Sequence, residues 1–185
     1  MAADETLYQR VMAGDRAALS ALVDRYHGPL RRFLYRHTGD AMLADDLVQE
    51  TFTRLLTHQG APPERFRPWV YTIAANLARD TFRTAYHRRE QADPFDSEAP
   101  PVGGRTPARA LDDALIADAG RQQVIAALQA LSPDHRTVVI LRFYHELPLA
   151  EIATITGAPL GTVKSRLYYA LKQLKGTLEG EVIHV

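Results

Sequence analysis

Side chains suited to contacting DNA recur at helical spacing near the carboxyl end of the chain. Four of them follow the i, i+3, i+4, i+7 pattern of a single helix face: Thr162, Ser165, Arg166 and Tyr169. Residues 160–175 include cations at positions 164, 166, 172 and 175 and no acid. Hydroxyls and a guanidinium at the start of such a helix can contact base edges, while cations hold phosphates. This pattern favours duplex DNA binding over a merely solvated basic helix. The candidate contacts are Thr162, Lys164, Ser165, Arg166, Tyr169 and Lys172.

The residues that precede this helix have the spacing of a helix-turn-helix. Ala153 is small where two helices would cross, and Gly157 can adopt the left-handed conformation of a tight turn. Val163 can then pack back on the first helix. The periodicity predicts that one face of the last helix is core, with Leu160, Val163, Leu167, Leu171 and Leu174.

A second polar stripe lies on a helix predicted over residues 66–87. It combines a hydroxyl, an amide and two guanidiniums next to an aromatic ring: Thr72, Asn76, Arg79, Arg83 and Trp69. Such a set suits single-stranded DNA, whose bases can stack or be extruded while arginines hold the phosphates. The apolar seam of the same helix is Phe66, Trp69, Val70, Ile73 and Leu77. Trp69 is therefore expected to lie mostly in the core, with at most one edge near DNA.

An acidic and amide stripe lies on a helix predicted over residues 41–57. Its members are Asp46, Gln49, Glu50 and Thr53, opposite a core face of Ala44, Leu47, Val48, Thr51 and Leu55. Taken alone, such a stripe indicates a solvated helix face. The carboxylates of Asp45, Asp46 and Glu50 have no histidine or third carboxylate at the spacing of a metal or catalytic site.

Residue types that carry enzyme chemistry are sparse in this chain. The sequence has no cysteine, which excludes disulfides, cysteine-ligated zinc, iron–sulfur clusters and a thiol nucleophile. Its seven histidines form no close ligand pair, and no glycine-rich phosphate loop follows a strand. The sequence therefore predicts no catalytic residue, no metal site and no cofactor.

Charge is balanced overall but unevenly distributed along the 185 residues. The 22 Lys and Arg residues equal the 22 Asp and Glu residues in number, yet the middle of the chain is acidic and the carboxyl-terminal part is basic. The net charge of zero therefore does not argue against DNA binding. The acidic middle is also rich in breakers, with prolines at 94, 100, 101 and 107 and glycines at 103 and 104. This composition is typical of a flexible linker.

These patterns predict an all-α protein with two small helical domains joined by that linker. Helices are expected through residues 19–34 and over 41–57, 66–87, 109–130 and 133–144, with further helices starting at Pro148 and Pro159. The expected domains are 1–87 and 109–178, with a linker at 88–108 and a tail at 179–185. No apolar run is long enough to span a bilayer, and the amino terminus lacks a signal peptide. We therefore expect a soluble protein in a reducing compartment, without membrane insertion.

Three sequence blocks, in this order, resemble bacterial sigma factors of the extracytoplasmic-function (ECF) group. They are ADDLVQETF at 44–52, FRPWVYTIAANLARD at 66–80 and GTVKSRL at 161–167. The resemblance covers nearly the whole chain except the linker and the last ten residues. It implies a region 2 bundle of three or four helices and a region 4 helix-turn-helix. It also implies a cytoplasmic, non-catalytic subunit that binds core RNA polymerase and directs promoter-specific initiation.

The resemblance also gives roles to the polar stripes. The residues Asp46, Gln49, Glu50 and Thr53 resemble the segment that docks on the β′ clamp, and region 4 would pack on the β flap. Asn76 matches the asparagine near the pocket for a flipped base of the −10 element. The loop at about 60–67, with Arg65 and Arg67, is similar in position to the −10 specificity loop. The surface with Lys164 and Arg166 matches the one that reads the −35 duplex.

One position departs from the family pattern. Tyr169 stands where these sigma factors often have arginine, so contact with a thymine methyl or a sugar is expected there instead of a phosphate contact. Sigma factors of this group are commonly held by an anti-sigma factor, which the resemblance adds to the expected partners.

Two alternatives remain open from the residues alone. A stand-alone helix-turn-helix regulator would bind an operator without polymerase, but it leaves the Asn76 stripe and the stripe at 46–53 without a role. A sigma-like protein-interaction module would bind polymerase or a regulator and fail to direct transcription.

Overall fold

The computed structural model describes residues 3–91 and 112–182, and all regular structure within these ranges is helical. Helices α1–α4 form an amino-terminal bundle and α5–α8 a carboxyl-terminal one, which confirms the predicted all-α fold class. The helices are α1 (Asp4–Met12), α2 (Arg16–Thr38), α3 (Ala41–Leu56), α4 (Phe66–Gln91), α5 (Asp112–Gln129), α6 (Pro133–Phe143), α7 (Leu149–Thr156) and α8 (Leu160–Val182).

Caps fix where several of these helices begin and end. The carboxylates of Asp15 and Asp40 each accept hydrogen bonds from two backbone amides in the first turn of α2 and α3. Gly39 ends α2 with a φ of 76°, a conformation that glycine adopts without steric cost. Ser132 caps α6, and Pro133 occupies its first turn. Asp40 and Ser132 directly precede the helices that the sequence predicted over residues 41–57 and 133–144.

The amino-terminal bundle is built around α2, which packs against α1, α3 and α4. Phe33, Leu22 and Leu55 are completely buried at its centre. Each such side chain contributes roughly 1.5–3 kcal/mol through burial. An aromatic cluster joins α1 to α4, because the Tyr8 ring lies 5.5 Å from Phe66 and 5.2 Å from Trp69. The sequence patterns did not predict α1, although its buried residues Leu7, Tyr8 and Val11 have helical spacing.

The carboxyl-terminal bundle has α6 at its centre, packed against α7 and α8. The apolar run at 138–141 is buried, together with Leu147, Ile152 and Val163. These residues hold α7 and the start of α8 in a fixed relative orientation, which is what a helix-turn-helix requires.

The buried face of α8 differs in part from the core face that the sequence predicted. Val163 is fully buried, and Leu167 and Leu174 pack partly against the core. Leu160 and Leu171, both predicted to be core, are instead exposed, and the fully buried residue of that face is Ala170. The physical reason is that the neighbouring helices cover a narrower stripe of α8 than the five predicted positions would need, so positions 163, 167, 170 and 174 point inward.

The two bundles pack against each other, with α4 on α7 and α2 on α6. Buried residues of both bundles belong to one continuous apolar cluster. Sequence patterns do not predict this packing, because the contacting residues lie between 55 and 100 positions apart along the chain.

Some predicted boundaries shift in the structure. Helix α4 continues to Gln91, so residues 88–91 of the expected linker are helical, and its remainder at 92–108 lies outside the described residues. Helix α5 is described from Asp112 onward, and residues 109–111 of its expected start lie outside the described residues. Helix α8 extends to Val182, into the expected tail, and residues 183–185 are not among those described.

Candidate nucleic-acid interface

The helix-turn-helix consists of α7, a tight turn and the start of α8. Gly157 has a φ of 64°, and the amide of Ala158 donates to the carbonyl oxygen of Ala153 at 3.2 Å to close the turn. Ala153 is partly buried against the core and Val163 is fully buried. The three spacing residues therefore have the positions that the sequence predicted, and they aim the exposed face of α8 away from the bundle.

The exposed face of α8 carries most of the predicted duplex contacts. Lys164, Ser165, Tyr169 and Lys172 are exposed, whereas Thr162 and Arg166 are partly buried. The hydroxyl of Ser165 donates to the carbonyl oxygen of Thr162 at 3.0 Å. The ring of Tyr169 stands edge-on to that of Tyr168, with centroids 5.3 Å apart. This face offers hydroxyls, ammonium groups and an aromatic ring to a groove.

The predicted single-strand stripe lies along α4. Asn76 and Arg83 are exposed, while Thr72 and Arg79 are partly buried. The side-chain oxygen of Asn76 accepts a hydrogen bond from Arg79 at 3.2 Å, which orients the amide. The hydroxyl of Thr72 is engaged with the carbonyl oxygen of Pro68 at 2.9 Å. Because Arg79 holds the oxygen of Asn76, the amide nitrogen is the polar group that this exposed side chain presents to solvent.

Trp69 occupies the position that the sequence predicted for it. Its ring is partly buried, with the ring centroids of Tyr8 at 5.2 Å, Phe66 at 5.9 Å and His58 at 5.0 Å. The remaining exposed part of the indole lies on the same helix as Asn76. Trp69 thus supports the start of α4 through these ring contacts and keeps part of its indole exposed.

The start of α4 is held by α1, an element that the sequence did not predict. The Glu5 carboxylate accepts a hydrogen bond from the backbone amide of Phe66 at 2.8 Å. This hydrogen bond, together with one to the Glu5 amide and the nearby Arg65 charge, holds the pKa of Glu5 below its usual value, against a smaller opposing effect of burial. Helix α1 therefore fixes the loop at 60–67 where it joins α4.

The acidic and amide stripe of α3 is presented to solvent. Its core face of Ala44, Leu47, Val48, Thr51 and Leu55 is buried, as predicted. Asp46, Gln49 and Thr53 are exposed. Glu50 is partly buried and pairs with Arg54, one turn further along the helix, at 2.9 Å. This face of α3 therefore presents carboxylate, amide and hydroxyl groups to solvent.

Four arginines that the sequence predicted to contact DNA form ion pairs or hydrogen bonds with residues of the carboxyl-terminal bundle. Arg65 pairs with Glu151 at 3.1 Å, and Arg67 donates to the carbonyl oxygen of His145 at 3.2 Å. Arg79 and Arg166 both pair with Asp134, at 3.2 Å and 2.5 Å. Asp134 thus contacts both Arg79 of α4, which the sequence predicted to contact the −10 element, and Arg166 of α8, which it predicted to contact the −35 element.

Sequence reasoning missed the acidic partners Asp134 and Glu151. Each looks like an ordinary helix-start acid, since both lie in first turns, where acids are favourable. A single sequence contains no signal for these contacts, because Asp134 lies 55 positions from Arg79 and Glu151 lies 86 positions from Arg65.

The contact between the bundles also contains buried polar groups. The guanidinium of Arg136 donates to the carbonyl oxygens of His37 at 2.5 Å, Leu128 at 2.8 Å and Leu131 at 3.0 Å. Burial lowers the pKa of Arg136 to about 10, so it stays charged at neutral pH. Arg136 therefore acts as a donor that joins the end of α2 to the second bundle.

Two histidines in this contact are kept neutral. Nε2 of His37 lies 2.9 Å from the Thr137 hydroxyl, and Nδ1 of His145 lies 2.9 Å from the Tyr71 hydroxyl. Burial, with a smaller effect of neighbouring arginines, lowers the pKa of His37 to about 3 and that of His145 to about 4. Neither histidine is charged near neutral pH.

Neither a metal-binding cluster nor a membrane span occurs in the part of the chain that the structure describes. No group of three or more histidine, aspartate or glutamate side chains there could hold a metal ion. In the same residues, no helix combines the length and apolarity that a membrane span requires.

Comparison with known proteins agrees with this architecture. Residues 22–89 match the Sigma-70 region 2 family, and residues 127–176 match Sigma-70 region 4. The chain is 38% identical over 173 residues to the ECF RNA polymerase sigma factor SigL of Mycobacterium tuberculosis, covering 90% of this chain and 92% of that protein.

Two solved structures share the fold. CnrH, solved in complex with the cytosolic domain of CnrY, is 23% identical with a TM-score of 0.70, covering 97% of this chain and 99% of that one. The sigma factor RpoE of Bartonella quintana, solved with the anti-sigma factor NepR, is 23% identical with a TM-score of 0.67, covering 87% and 96%. The two family matches and the likeness to SigL confirm the resemblance: this chain belongs to the ECF family of RNA polymerase sigma factors, non-enzymatic subunits that direct core RNA polymerase to promoters.

Proposed function

We propose that this sigma factor divides promoter recognition between its two bundles, with α8 reading the −35 duplex and α4 capturing a base of the melted −10 element. The observation that carries this proposal is the pair of polar faces on α4 and α8, each positioned by a buried seam on the opposite side. In the cell this work would take place in the cytoplasm, on the chromosome.

The −35 contacts would come from the start of α8. Ser165 and Arg166 lie just beyond the first turn of the helix and would approach base edges. In a helix-turn-helix, the residues at the amino end of the second helix are the ones that contact bases in the major groove. Lys164 and Lys172 are exposed cations that would hold phosphates. The exposed ring of Tyr169 would contact a thymine methyl or a sugar.

The −10 contacts would come from α4 and the loop before it. Extruding a base costs a few kcal/mol, which stacking and a fitted pocket must offset. Trp69 supplies an aromatic edge and Asn76 an oriented amide on the same helix. Thr72 lies between them, while Arg65, Arg67, Arg79 and Arg83 would hold the phosphates of the single strand.

The polymerase contact would be made by α3. Its exposed stripe of Asp46, Gln49, Glu50 and Thr53 would dock on the β′ clamp, and the carboxyl-terminal bundle would pack on the β flap. Exposed apolar side chains are available on that bundle, including Phe143, Leu160 and Leu171. We also propose an anti-sigma factor as a partner, since RpoE, which has the same fold, was solved bound to one.

Reconstituted transcription tests the proposal. The full chain is added to core polymerase, and transcript starts are mapped on genomic DNA to define the cognate promoter. Asn76→Ala should reduce open-complex formation there by tenfold or more, roughly the loss expected for one base-specific contact. Binding to core polymerase should stay unchanged, because Asn76 lies on α4 and not on the α3 stripe.

Gln9→Ala is the matched control, since Gln9 also carries an exposed side-chain amide but lies on α1, outside the polar stripe of α4. It should leave initiation unchanged. Normal open complexes with Asn76→Ala would refute the role of Asn76. Transcript starts without a shared −35 and −10 pair would refute the division of recognition between the bundles.

A further inference from the structure

A cleft of about 390 Å³ lies where α1, α2 and α4 meet the loop between α6 and α7. This volume is in the range of small-molecule binding sites. The wall combines guanidiniums with phenol rings and an imidazole, so it offers many hydrogen-bond donors. Of the side chains that line it, only Arg67 is also assigned to promoter DNA above.

The wall of this cleft carries an excess of positive charge. Arg25 and Arg32 of α2 and Arg67 of α4 contribute three guanidiniums, and Asp4 is the one acid among the described residues that line it. Asp4 pairs with Arg25 and accepts a hydrogen bond from the Tyr26 hydroxyl. Arg67 donates to a backbone carbonyl oxygen at 3.2 Å, which does not neutralise its charge. The cleft is therefore suited to an anion.

The electrostatic effect of these arginines is visible at His145, which also lines the cleft. Burial is the main cause that lowers the pKa of His145 to about 4, and the charges of three nearby arginines lower it further. Two of the three are Arg32 and Arg67 of the cleft wall. An anion in the cleft would be attracted by the same charges that disfavour a protonated imidazole.

His145 also has a ring nitrogen without a partner. Its Nδ1 lies 2.9 Å from the Tyr71 hydroxyl, whereas its Nε2 is buried and has no hydrogen-bond partner among the described residues. When the Tyr71 hydroxyl donates to Nδ1, the neutral ring carries its proton on Nε2. A buried donor without an acceptor is costly, and a ligand oxygen would remove that cost.

We propose that this cleft is a binding site for a small molecule that carries phosphate groups. Phosphate oxygens accept strong, charge-assisted hydrogen bonds from guanidiniums, whose planar set of donors matches them in geometry. Arg32 and Arg67 would hold the phosphate groups from α2 and α4, and Nε2 of His145 would donate to a further oxygen. The ligand would also offset the excess positive charge of the wall.

Titration calorimetry of the full chain with inorganic pyrophosphate tests the site. At about 0.15 M salt, charges more than about 8 Å apart on the surface are largely screened, so distant cations contribute little. We expect one pyrophosphate per chain. Arg32→Gln should weaken binding by about tenfold or more, because a hydrogen bond between charged groups is lost. Arg31→Gln is the matched control: it removes the same charge one position away, from a guanidinium that pairs with Asp45 outside the cleft, and should leave the affinity unchanged.

A substitution of the opposite sign gives a second measurement. Asp4→Asn removes the negative charge of the wall and should strengthen pyrophosphate binding by roughly two- to fivefold, the size of a partly exposed charge interaction. Asp24→Asn is its control, because Asp24 is exposed on α2 and does not line the cleft. It should not change the affinity. Circular dichroism of each variant verifies that the helices are retained.

Adenosine triphosphate is the second probe, and it distinguishes two kinds of phosphate ligand. Tighter binding than pyrophosphate would support a nucleotide, whose base would contact the Tyr144 ring in the wall. Equal or weaker binding would support recognition of the phosphate groups alone. The proposal would be overturned if pyrophosphate did not bind at millimolar concentration, or if Arg32→Gln and Arg31→Gln weakened binding equally. An affinity unchanged by Asp4→Asn would place the anion outside the cleft and would also overturn it.

Discussion

Arg166 and Lys172 lie on the same helix but have different surroundings. Arg166 is partly buried and paired with Asp134, which fixes the direction of its planar guanidinium. Lys172 is exposed, with an ammonium that can follow a phosphate. We therefore propose that Arg166 reads bases and that Lys172 contributes sequence-independent attraction.

Two substitutions distinguish these roles. Arg166→Ala should reduce discrimination at one −35 base pair by about 1–3 kcal/mol, the value of a good guanidinium–base contact. Lys172→Ala should weaken binding to all sequences alike and reduce the slope of log affinity against log salt by about one. Competition between promoter DNAs with altered −35 sequences for the holoenzyme measures the base discrimination. Repeating it at several salt concentrations measures the salt slope. Equal weakening across sequences with Arg166→Ala would contradict the base-reading role.

At the scale of elements, α3 has two faces with different surroundings. The buried face holds the bundle together, and the stripe with Glu50 faces outward. Because the ion pair between Glu50 and Arg54 lies within the helix, it can be reversed without disturbing the core. Such a surface pair contributes only about 0.3–0.5 kcal/mol to stability.

Glu50→Lys should abolish assembly with core polymerase, because it reverses a charge in the proposed docking stripe. It also places two cations one turn apart on the helix, which is slightly destabilising. The double variant Glu50→Lys with Arg54→Glu restores the ion pair within the helix. A pull-down with core polymerase should show loss of binding in both variants. Recovery of binding in the double variant would assign the loss to helix stability and not to docking.

The turn between α7 and α8 depends on one glycine. Gly157 has a φ of 64°, and a Cβ there would meet no atom within 4 Å, so only backbone strain opposes alanine. Gly157→Ala should therefore destabilise the fold by about 1–2 kcal/mol. Gly161→Ala is the matched control: it lies inside α8 with open space around it and should be neutral or stabilise by up to about 1 kcal/mol. Urea unfolding of the two variants measures the difference; equal stabilities would contradict the role of the left-handed turn.

At the scale of the whole molecule, the two bundles pack through a contact that keeps histidines neutral. His37 is fully buried between α2 and α6, facing Thr137, the Phe33 and Phe82 rings and the charges of Arg136 and Arg79. Arg136 from the second bundle donates to the carbonyl oxygen of His37 in the last turn of α2. The contact therefore supplies hydrogen bonds to a helix end as well as apolar burial.

The pH dependence of stability follows from this burial. An unfolded histidine takes up a proton as the pH falls below about 6.5, whereas folded His37 resists protonation until a pH of about 3. The unfolded state therefore binds more protons between these values, and stability falls as the pH is lowered through that range. His37 alone should account for a loss of about 1 kcal/mol between pH 7.5 and 5.5.

Urea unfolding at pH 7.5 and 5.5 measures this effect. His37→Gln keeps a polar group near Thr137 and removes the titration, so its free energy of unfolding should depend less on pH than that of the unchanged chain. Carboxylates with lowered pKa values, such as Glu5, also contribute to the free energy of unfolding, and this contribution is lost at still lower pH. The loss is the same in both chains, so it cancels in the difference between them. Identical pH dependence of the two chains would contradict the role of His37.

The sequence by itself determined the helices and their chemical faces. Helical periodicity, the caps at Asp40 and Ser132 and the turn at Gly157 are local, because each depends on residues within a few positions. The same local patterns identified the polar stripes on α3, α4 and α8. Local patterns failed for α1, a short helix with few apolar residues, and for Leu160 and Leu171, whose exposure depends on how much of α8 the neighbouring helix covers.

Only the tertiary structure decided which of those polar residues meet. Asp134, Glu151 and Arg136 acquire their partners through packing between helices that are distant along the chain, and one sequence contains no distance information across such separations. The docking of α4 on α7 and of α2 on α6 converts predicted DNA-contacting arginines into ion-paired groups of a packed molecule. The helix faces follow from local physical chemistry, whereas their accessibility follows from the burial of distant apolar surfaces against each other.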